Sequence, residues 1–491
     1  VSGTDAAPLL RPGAQSFIRE LPWIEPLEAL RRLEGRRHTA LLYSGLAGEH
    51  PAARHSILAC DPIAVIEVRG LRTTLARGAP ARETRTIEGD PFDALRALLP
   101  EEPGADGPLP FGGGAIGYLG YGMRRSLERL PACEPEPFRL PDAWFGVYDV
   151  AAVFDHAAHG ATLLALPRGG EPDGTAARGR LDDLAAALLR PAADLLTSAP
   201  TSRNAGRILP PGTTLPAEST TRRDDYLDAV RRVLDHIARG DLYQVNLSHR
   251  IRAPLRAEPI DLFFDLMRRN PAPFSAWLDA GPFQIVCASP ERFLSLVDGL
   301  ARSSPIKGTR PRGALPEDDL LYAADLRKSA KDRAENVMIA DLVRNDLGRV
   351  AVPGSVRVET LCGLESFATV HHLVTTVEAR LAADADRIDL LRALFPGGSM
   401  TGAPKVRAMQ VIAALEREER GPYSGAIGYL SRGGGLDLNI VIRTLLCGRG
   451  EADFRVGGGI VADSDPETEW LETLAKGRAL LDVLGVALVG D

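Results

Sequence analysis

An α+β protein built on antiparallel sheets is what this sequence predicts. Three observations lead there: strand-like runs at hairpin spacing, long helical stretches grouped together and not alternating one-for-one with strands, and no internal repeat. The first half has strand-like runs over 39–44, 64–69, 144–154 and 161–166, with helical stretches over 25–34 and 178–189. From about Arg190 to Thr221 the composition shifts to Ala, Pro, Ser, Thr and Gly with few periodic apolar positions. That stretch, 191–221, reads as a connector between an N-terminal half, 1–190, and a C-terminal region, 222–489, the two packed as one unit. Beyond it Tyr226, Leu227, Val230, Val233, Leu234 and Ile237 recur at helical spacing, and Gly240 ends a helix over 224–239. Strands are expected at 243–251, 274–278, 283–289 and 293–296, followed by one long helix over 317–347. The last third adds helices over 387–395 and 405–418, strands over 424–431, 436–446 and 454–461, and a final helix over 466–484.

Composition excludes several classes of function. The 491 residues are 45% hydrophobic and 25% charged, as expected of a soluble globular protein. A net charge of −7 argues against nucleic-acid binding. The arginine clusters Arg31, Arg32, Arg36, Arg37 and Arg222, Arg223, Arg231, Arg232 read as solvated helix faces. Cys60, Cys133, Cys287, Cys362 and Cys447 are far apart and without CxxC spacing, which points to reduced thiols in a cytoplasmic protein and away from a disulfide framework or zinc site. No apolar run approaches ~18 residues and no apolar signal core opens the chain, so no membrane partner is expected.

The basic residues carry a sharper signal. Of 58 lysines and arginines only five are lysines, all between Lys307 and Lys476. Where positive charge alone is needed this chain uses Arg, so a retained lysine suggests an amine that can lose its proton and attack carbon. Lys307 stands in SPIKGTRPRG, where Arg310 and Arg312 are expected to lower its pKa by like-charge repulsion. Three other motifs fail. GGGAIGYLGYG, 112–122, contains GxGxxG but lacks the helix and the acidic residue of a dinucleotide site, and suits a close-packed strand. PGGSMTGAPK, 396–405, breaks the phosphate-loop pattern at Ala403. His371 and His372 lack an i, i+4 partner for zinc, so one of them is expected to be satisfied in the core.

Carboxylates are better arranged. Asp332 and Glu335 fall one helical turn apart, as do Glu469 and Glu472, with Lys476 a further turn on. Two helices that each offer such a pair can hold a hard cation such as Mg²⁺, although either alone reads as a solvated face. Glu291 in ASPERF follows an apolar strand and a proline, and a carboxyl there, partly desolvated, is a candidate general acid.

Together GDLYQVNLSHR, ASPERF, SPIKGTRPRG, AENVMIADLVRNDLG, VHHLVTT, PGGSMTGAPKVRAM, GAIGYL, IVIRTL and GGGIVADSDPETEWLET resemble the chorismate-utilising enzymes, in order, from Tyr226 to Leu484. RHSILACDP and GGGAIGYLGYG extend the resemblance more weakly into the first half. It implies two packed antiparallel sheets flanked by helices, and Mg²⁺-dependent chemistry on chorismate. Members that use water as nucleophile carry a lysine base where this chain has Gln244, and Gln cannot take a proton from water. Anthranilate synthases have an alanine where this chain has Lys307, so the lysine resembles the para-aminobenzoate branch, the aminodeoxychorismate synthases.

In that branch the resemblance assigns Lys307 as covalent nucleophile and Glu291 as proton donor. It implies Mg²⁺ on Glu335 and Glu472 with Asp332 and Glu469 behind, and Arg443, Tyr423 and the backbone of Gly457, Gly458 and Gly459 on the enolpyruvyl carboxylate. Lys476 adds charge near the ring carboxylate, and His372 and Ser399 line the pocket. No Gly-x-Cys-x-Gly elbow is present, so ammonia must come from a separate glutamine amidotransferase subunit. A tryptophan pocket in the N-terminal half is another family trait, but Leu41-Leu42-Tyr43-Ser44 has Tyr where the family run has Glu. Competing readings are an anthranilate synthase large subunit and, from another class, a non-catalytic chorismate-binding subunit. A binder has no need of an acid and a nucleophile together.

Overall fold

The computed structural model describes residues 9–48, 50, 52–78, 83–171, 173–190, 215–367 and 370–489. Alternating apolar runs pair into two large sheets, one of 13 strands and one of 12. Neighbouring strands are antiparallel, as in Gln244–Pro254 against Glu451–Ile460, with Leu215–Ser219 against Val486–Leu488 a short parallel exception. Both sheets take strands from both halves of the chain. Ala40–Tyr43 pairs with Phe274–Asp279 in one, and Gly114–Leu119 with Ala426–Ser431 in the other. The expected connector lies outside the described residues as far as 214, and its end, Leu215–Ser219, is a strand.

Burial defines the layers. Ile57, Ala276 and Ile285 of one sheet pack against Ile116, Trp144 and Ile427 of the other. Helices Pro26–Arg32, Thr175–Leu188, Pro259–Arg269 and Pro466–Leu484 cover the outer face of the larger sheet. Pro91–Leu98, Ala330–Gly348 and Arg387–Leu394 cover that of the smaller. Phe263 and Leu266, fully buried on their helix, each contribute about 1.5–3 kcal/mol of transfer free energy.

Several expected elements are divided. The run 317–347 is two helices, Pro316–Lys328 and Ala330–Gly348, parted at Ser329. The Ser329 backbone is extended, and its hydroxyl accepts from the Asp332 N–H at 3.2 Å, capping the second helix. The runs 144–154 and 436–446 are also two strands each: Ala143–Tyr148 with Val150–Asp155, and Leu436–Ile440 with Thr444–Gly448. In both cases the chain leaves one sheet and enters the other, so apolar alternation continues across the break. Strands Ile306–Pro311 and Val370–Arg380 were not expected: Gly, Pro and charged residues interrupt the first, and paired His and paired Thr break apolar alternation in the second.

The arginine clusters are ion-paired: Arg31 with Asp261, Arg36 with Asp61 and Asp183, and Arg223 with Glu467. Other arginines are wholly buried. Arg250 pairs with Asp453 at 2.7 Å, Arg124 with Glu419 at 2.8 Å, and Arg420 and Arg455 share Glu416. Planar forks suit such sites, and removing one partner of a buried pair costs about 3–5 kcal/mol.

The glycine-rich run 112–122 contains the strand Gly114–Leu119, packed too closely for side chains at some positions. A Cβ on Gly117 would stand 2.0 Å from the Trp144 carbonyl oxygen and 2.7 Å from Phe145 Cα. Gly117→Ala is therefore expected to destabilise the protein by about 1–3 kcal/mol through overpacking, even though Ala normally suits a strand better than Gly. A urea midpoint equal to that of the parent protein would contradict this packing.

Candidate active site

Two of the crossings between sheets run side by side. One carries Pro290 and Glu291 between Gln284–Ser289 and Arg292–Val297; the other carries Val441 to Arg443 between Leu436–Ile440 and Thr444–Gly448. The Ser289 hydroxyl donates to the Ile440 carbonyl at 2.6 Å, the Ile440 N–H to the Glu291 carbonyl at 3.0 Å, and the Ala288 N–H to the Arg443 carbonyl at 3.1 Å. Glu291 is 5% exposed, and its Oε1 accepts from the Ile306 N–H at 3.4 Å. Burial raises its pKa to about 7, with Ser399 and Lys307 beside it holding it back. At neutral pH it therefore has a proton to give. Arg443 has φ +51, and among the described residues its guanidinium makes no ion pair. Burial alone lowers its pKa, so an anion would relieve it.

Lys307 enters from the strand Ile306–Pro311, which pairs with Val370–Arg380 and bulges between Lys307 and Thr309. Gly308, at φ +81, allows the bulge and packs against Asp332. The cleft leaves Lys307 partly accessible, yet protein surrounds its amine and burial lowers its pKa against the pull of Glu335 and Glu291. The like charge that assists is Lys476. Arg310 and Arg312 do not act as expected, because Arg310 pairs with Asp325 and Asp332 and Arg312 with Asp319. Their charges are neutralised on the helix side of the strand.

Gly457, Gly458 and Gly459 form the opposite wall, on the strand Glu451–Ile460. A Cβ on Gly459 would lie 2.9 Å from Gln244 Nε2 and 3.1 Å from Lys307 Nζ; one on Gly458 would lie 2.8 Å from Glu469 Oε2. The absence of side chains there lets the amide, the amine and the carboxylate approach one backbone. Both polar atoms of the Gln244 amide are buried without a protein partner, as are His372 Nε2 and Glu469 Oε2. His372 Nδ1 faces the Gly308 carbonyl at 3.3 Å and the Thr309 hydroxyl at 2.9 Å. A carbonyl only accepts, so the ring hydrogen is assigned to Nδ1 and Nε2 offers a lone pair. Burial, with Arg443 near, lowers the His372 pKa to about 3 and keeps the ring neutral. His371 is the satisfied one of the two, bonded to Ser366 at 2.8 Å and Asp319 at 2.9 Å. Tyr423 is buried, which pushes its hydroxyl up to about 12.

The acidic residues divide differently from their sequence pairing. Burial raises the pKa of Glu335, with Lys307 and Lys331 opposing and Glu472 reinforcing. Glu469 Oε1 accepts from the Ser464 hydroxyl at 2.6 Å, leaving Oε2 free. Burial works against ionised Glu472, but Lys476 at 2.7 Å and the more distant Lys307 and Lys331 hold its pKa low. Lys476 also donates to the Gly457 carbonyl at 2.9 Å. Asp332 faces elsewhere, accepting from Arg310 at 3.1 Å. Among the described residues no three metal-type side chains close into a ready-made centre. Glu335, Glu469 and Glu472 are nonetheless hard oxygen donors with one buried oxygen unpartnered, which fits a hard divalent cation.

Sequence reasoning missed Thr309, which orients His372, and Arg420, which donates to the Met400 carbonyl at 2.9 Å and the Asn246 carbonyl at 2.7 Å. The i, i+4 spacing of Glu416 and Arg420 was the available signal for the latter. A cavity of about 940 Å³, lined in part by Tyr43, Ser44 and Phe274, lies elsewhere between the sheets. No described helix is long and apolar enough to cross a membrane.

The chain is 42% identical over 447 residues to aminodeoxychorismate synthase component 1 of Salmonella typhimurium, covering 90% of this chain and 92% of that one. It is also 42% identical over 402 residues to anthranilate synthase component 1 of Streptomyces coelicolor, covering 80% and 77%. Among solved structures, anthranilate synthase component I from Streptococcus pneumoniae superposes with a TM-score of 0.76 at 32% identity, over 88% of this chain and 93% of that one. Residues 40–482 match the family described as chorismate binding enzyme, and the chain belongs to that family of enzymes.

Proposed function

We propose that this enzyme is the chorismate-using component of an aminodeoxychorismate synthase, making 4-amino-4-deoxychorismate from chorismate and ammonia for para-aminobenzoate and folate synthesis. Identity does not separate this reading from anthranilate synthase, since both kinds of relative reach 42%. The observation that carries it is the Lys307 amine, depressed in pKa by burial and set against Gln244 and Gly459 with the protonatable Glu291 nearby. A non-catalytic binder would have no use for that pairing.

The neutral Lys307 amine adds at C2 of chorismate, the double bonds shift, and the C4 hydroxyl departs with a proton from Glu291. Ammonia then attacks C4 and the lysine leaves by the reverse shift. Arg443 takes the enolpyruvyl carboxylate, with Tyr423 and the glycine backbone beside it. His372 and Gln244 offer buried polar atoms that otherwise lack partners. Leaving such a group unsatisfied costs about 1–3 kcal/mol, so a polar substrate would relieve several at once. Glu335 and Glu472, with Glu469, would hold Mg²⁺, leaving Asp332 to fix the Lys307 strand through Arg310. The ion would neutralise the ring carboxylate and stabilise charge drawn into it.

Lys307→Arg keeps the charge and loses the attacking amine, so it is expected to lose about 10²-fold or more in kcat, as much as Lys307→Ala. Product formation by the Arg variant near the parent rate would end the nucleophile reading. Ammonia is expected from a glutamine amidotransferase subunit, in keeping with relatives named as component 1. Cys287 and Cys447 are buried, which pushes their thiols up to about 11 and about 12 and suits neither to nucleophilic attack on glutamine. The purified chain should therefore form product from chorismate with an ammonium salt and none with glutamine alone, as read by product identification. Glutamine hydrolysis by the isolated chain would contradict this, and anthranilate as product would favour the rival reading. EDTA should abolish turnover and Mg²⁺ restore it, while Glu335→Gln and Glu472→Gln should each raise the Mg²⁺ concentration needed. Unchanged turnover in EDTA would remove the metal assignment.

A further inference from the structure

Glu291 also borders a small cavity whose walls do not include Lys307. Its volume is about 10 Å³, room for one water, and apart from Arg292, whose guanidinium is bonded to Asp437, its other polar residues are Ser303, Asp346 and Ser399. Glu291, Ser303, Asp346 and Ser399 are each 4–6% exposed. The Ser303 hydroxyl donates its hydrogen to the Phe293 carbonyl at 2.6 Å, so it meets the cavity as an acceptor. Asp346 Oδ2 accepts from Lys405 Nζ at 2.6 Å, and the same amine donates to the Leu394 carbonyl at 2.8 Å. The Lys405 side chain keeps 13% of its surface exposed, so this line of polar groups runs from solvent to Glu291. Lys405 is also one of the five lysines, a deprotonatable group in a chain that uses arginine for most buried pairs.

The proposed reaction creates a need for such a line. Neutral ammonia becomes an amine that leaves as its ammonium form, and the C4 hydroxyl leaves as water. Chorismate, ammonia and one proton are consumed for each product and water released. Glu291 gives that proton and ends the cycle as a carboxylate, while substrate or product fills the cleft on its other side. We propose that the cavity takes one water, and that Lys405, Asp346 and this water pass a proton from solvent to Glu291 between turnovers. The water gives a proton to Glu291 as it takes one from Asp346, Asp346 takes one from the Lys405 ammonium, and Lys405 is recharged by bulk water. Every O–H or N–H bond broken is matched by one formed.

Electrostatics favour the hand-over. Burial raises the Asp346 pKa and lowers that of Lys405, bringing donor and acceptor closer together. Arg349 near both and Glu128 near Lys405 are the other charges bearing on the pair, and Lys307 is the one bearing on Glu291. Asp346 and Lys405 act through Glu291 and are positioning residues, not groups that touch substrate.

The inference rests on the aminating activity proposed above, and rapid-quench product counting separates the two. The full chain is mixed with chorismate and a large excess of ammonium salt in slightly acidic buffer, where Glu291 starts protonated and the salt still supplies some free ammonia. Asp346→Asn should complete its first turnover at the parent rate and then slow by about ten-fold or more, with kcat/KM for chorismate unchanged. Val343→Ile adds one methyl group to the cavity wall, keeps the ion pair, and should give the same burst. It also serves if the Asn variant folds poorly. First and later turnovers slowed alike would mean a structural role only. Parent-like later turnovers in both variants would mean that ammonium or the open cleft delivers the proton. Either result overturns the relay while leaving the amination reading intact, whereas a parent protein that forms no aminated product ends both.

Discussion

Three hydrogen bonds between two strand crossings hold the centre of this molecule: Ser289 to Ile440, Ile440 to Glu291, and Ala288 to Arg443. A strand that passes from one sheet to another must interrupt its ladder, which frees backbone and turns side chains into the space between the layers. Two such breaks bonded to each other make that space rigid. Glu291 and Arg443 sit in the breaks themselves, and the Lys307 strand is tied to the first of them through the Ile306 N–H on the Glu291 carboxyl. The acid, the guanidinium and the amine thus share one scaffold of backbone bonds.

Around that scaffold the polar groups are handled in two opposite ways. Beneath the site, Arg250, Arg420 and Arg455 are paired with Asp453 and Glu416, and Arg420 bonds to the carbonyls of Met400 and Asn246. Within the site, Gln244, His372 and Glu469 keep buried atoms unpartnered, and Arg443 makes no ion pair among the described residues. Each unpaired group lowers stability, while the paired network below restrains the backbone that carries them. Unmet hydrogen-bonding capacity gathered in a cleft suits recognition of a small anionic ligand.

The glycine wall and the bulge serve the same end by geometry. Gly458 and Gly459 leave no Cβ between the strand and the groups facing it, and Gly308 in the left-handed region permits the bulge beside Lys307. Lys476, bonded to Glu472 and to the Gly457 carbonyl, joins the last helix to this wall. Bare backbone therefore lines one side of the cleft and charged side chains the other.

The sequence by itself determined the fold class, the helix 466–484 to the residue and strand 64–69 likewise, because each has an uninterrupted period and clear ends. It also singled out Lys307, through the scarcity of lysine, and Glu291, through its place after a strand and a proline. Only the tertiary structure decided that 144–154 and 436–446 change sheets, since apolar alternation is the same whether a strand continues or crosses into a second apolar layer. Only it paired Asp332 with Arg310 and moved the like charge near Lys307 from Arg310 to Lys476, because helical spacing says which residues share a face and not what another segment brings against it. Buried Arg124 was illegible for the same reason: it meets Glu419 across 295 positions of chain, a pairing that exists only after the sheets have formed.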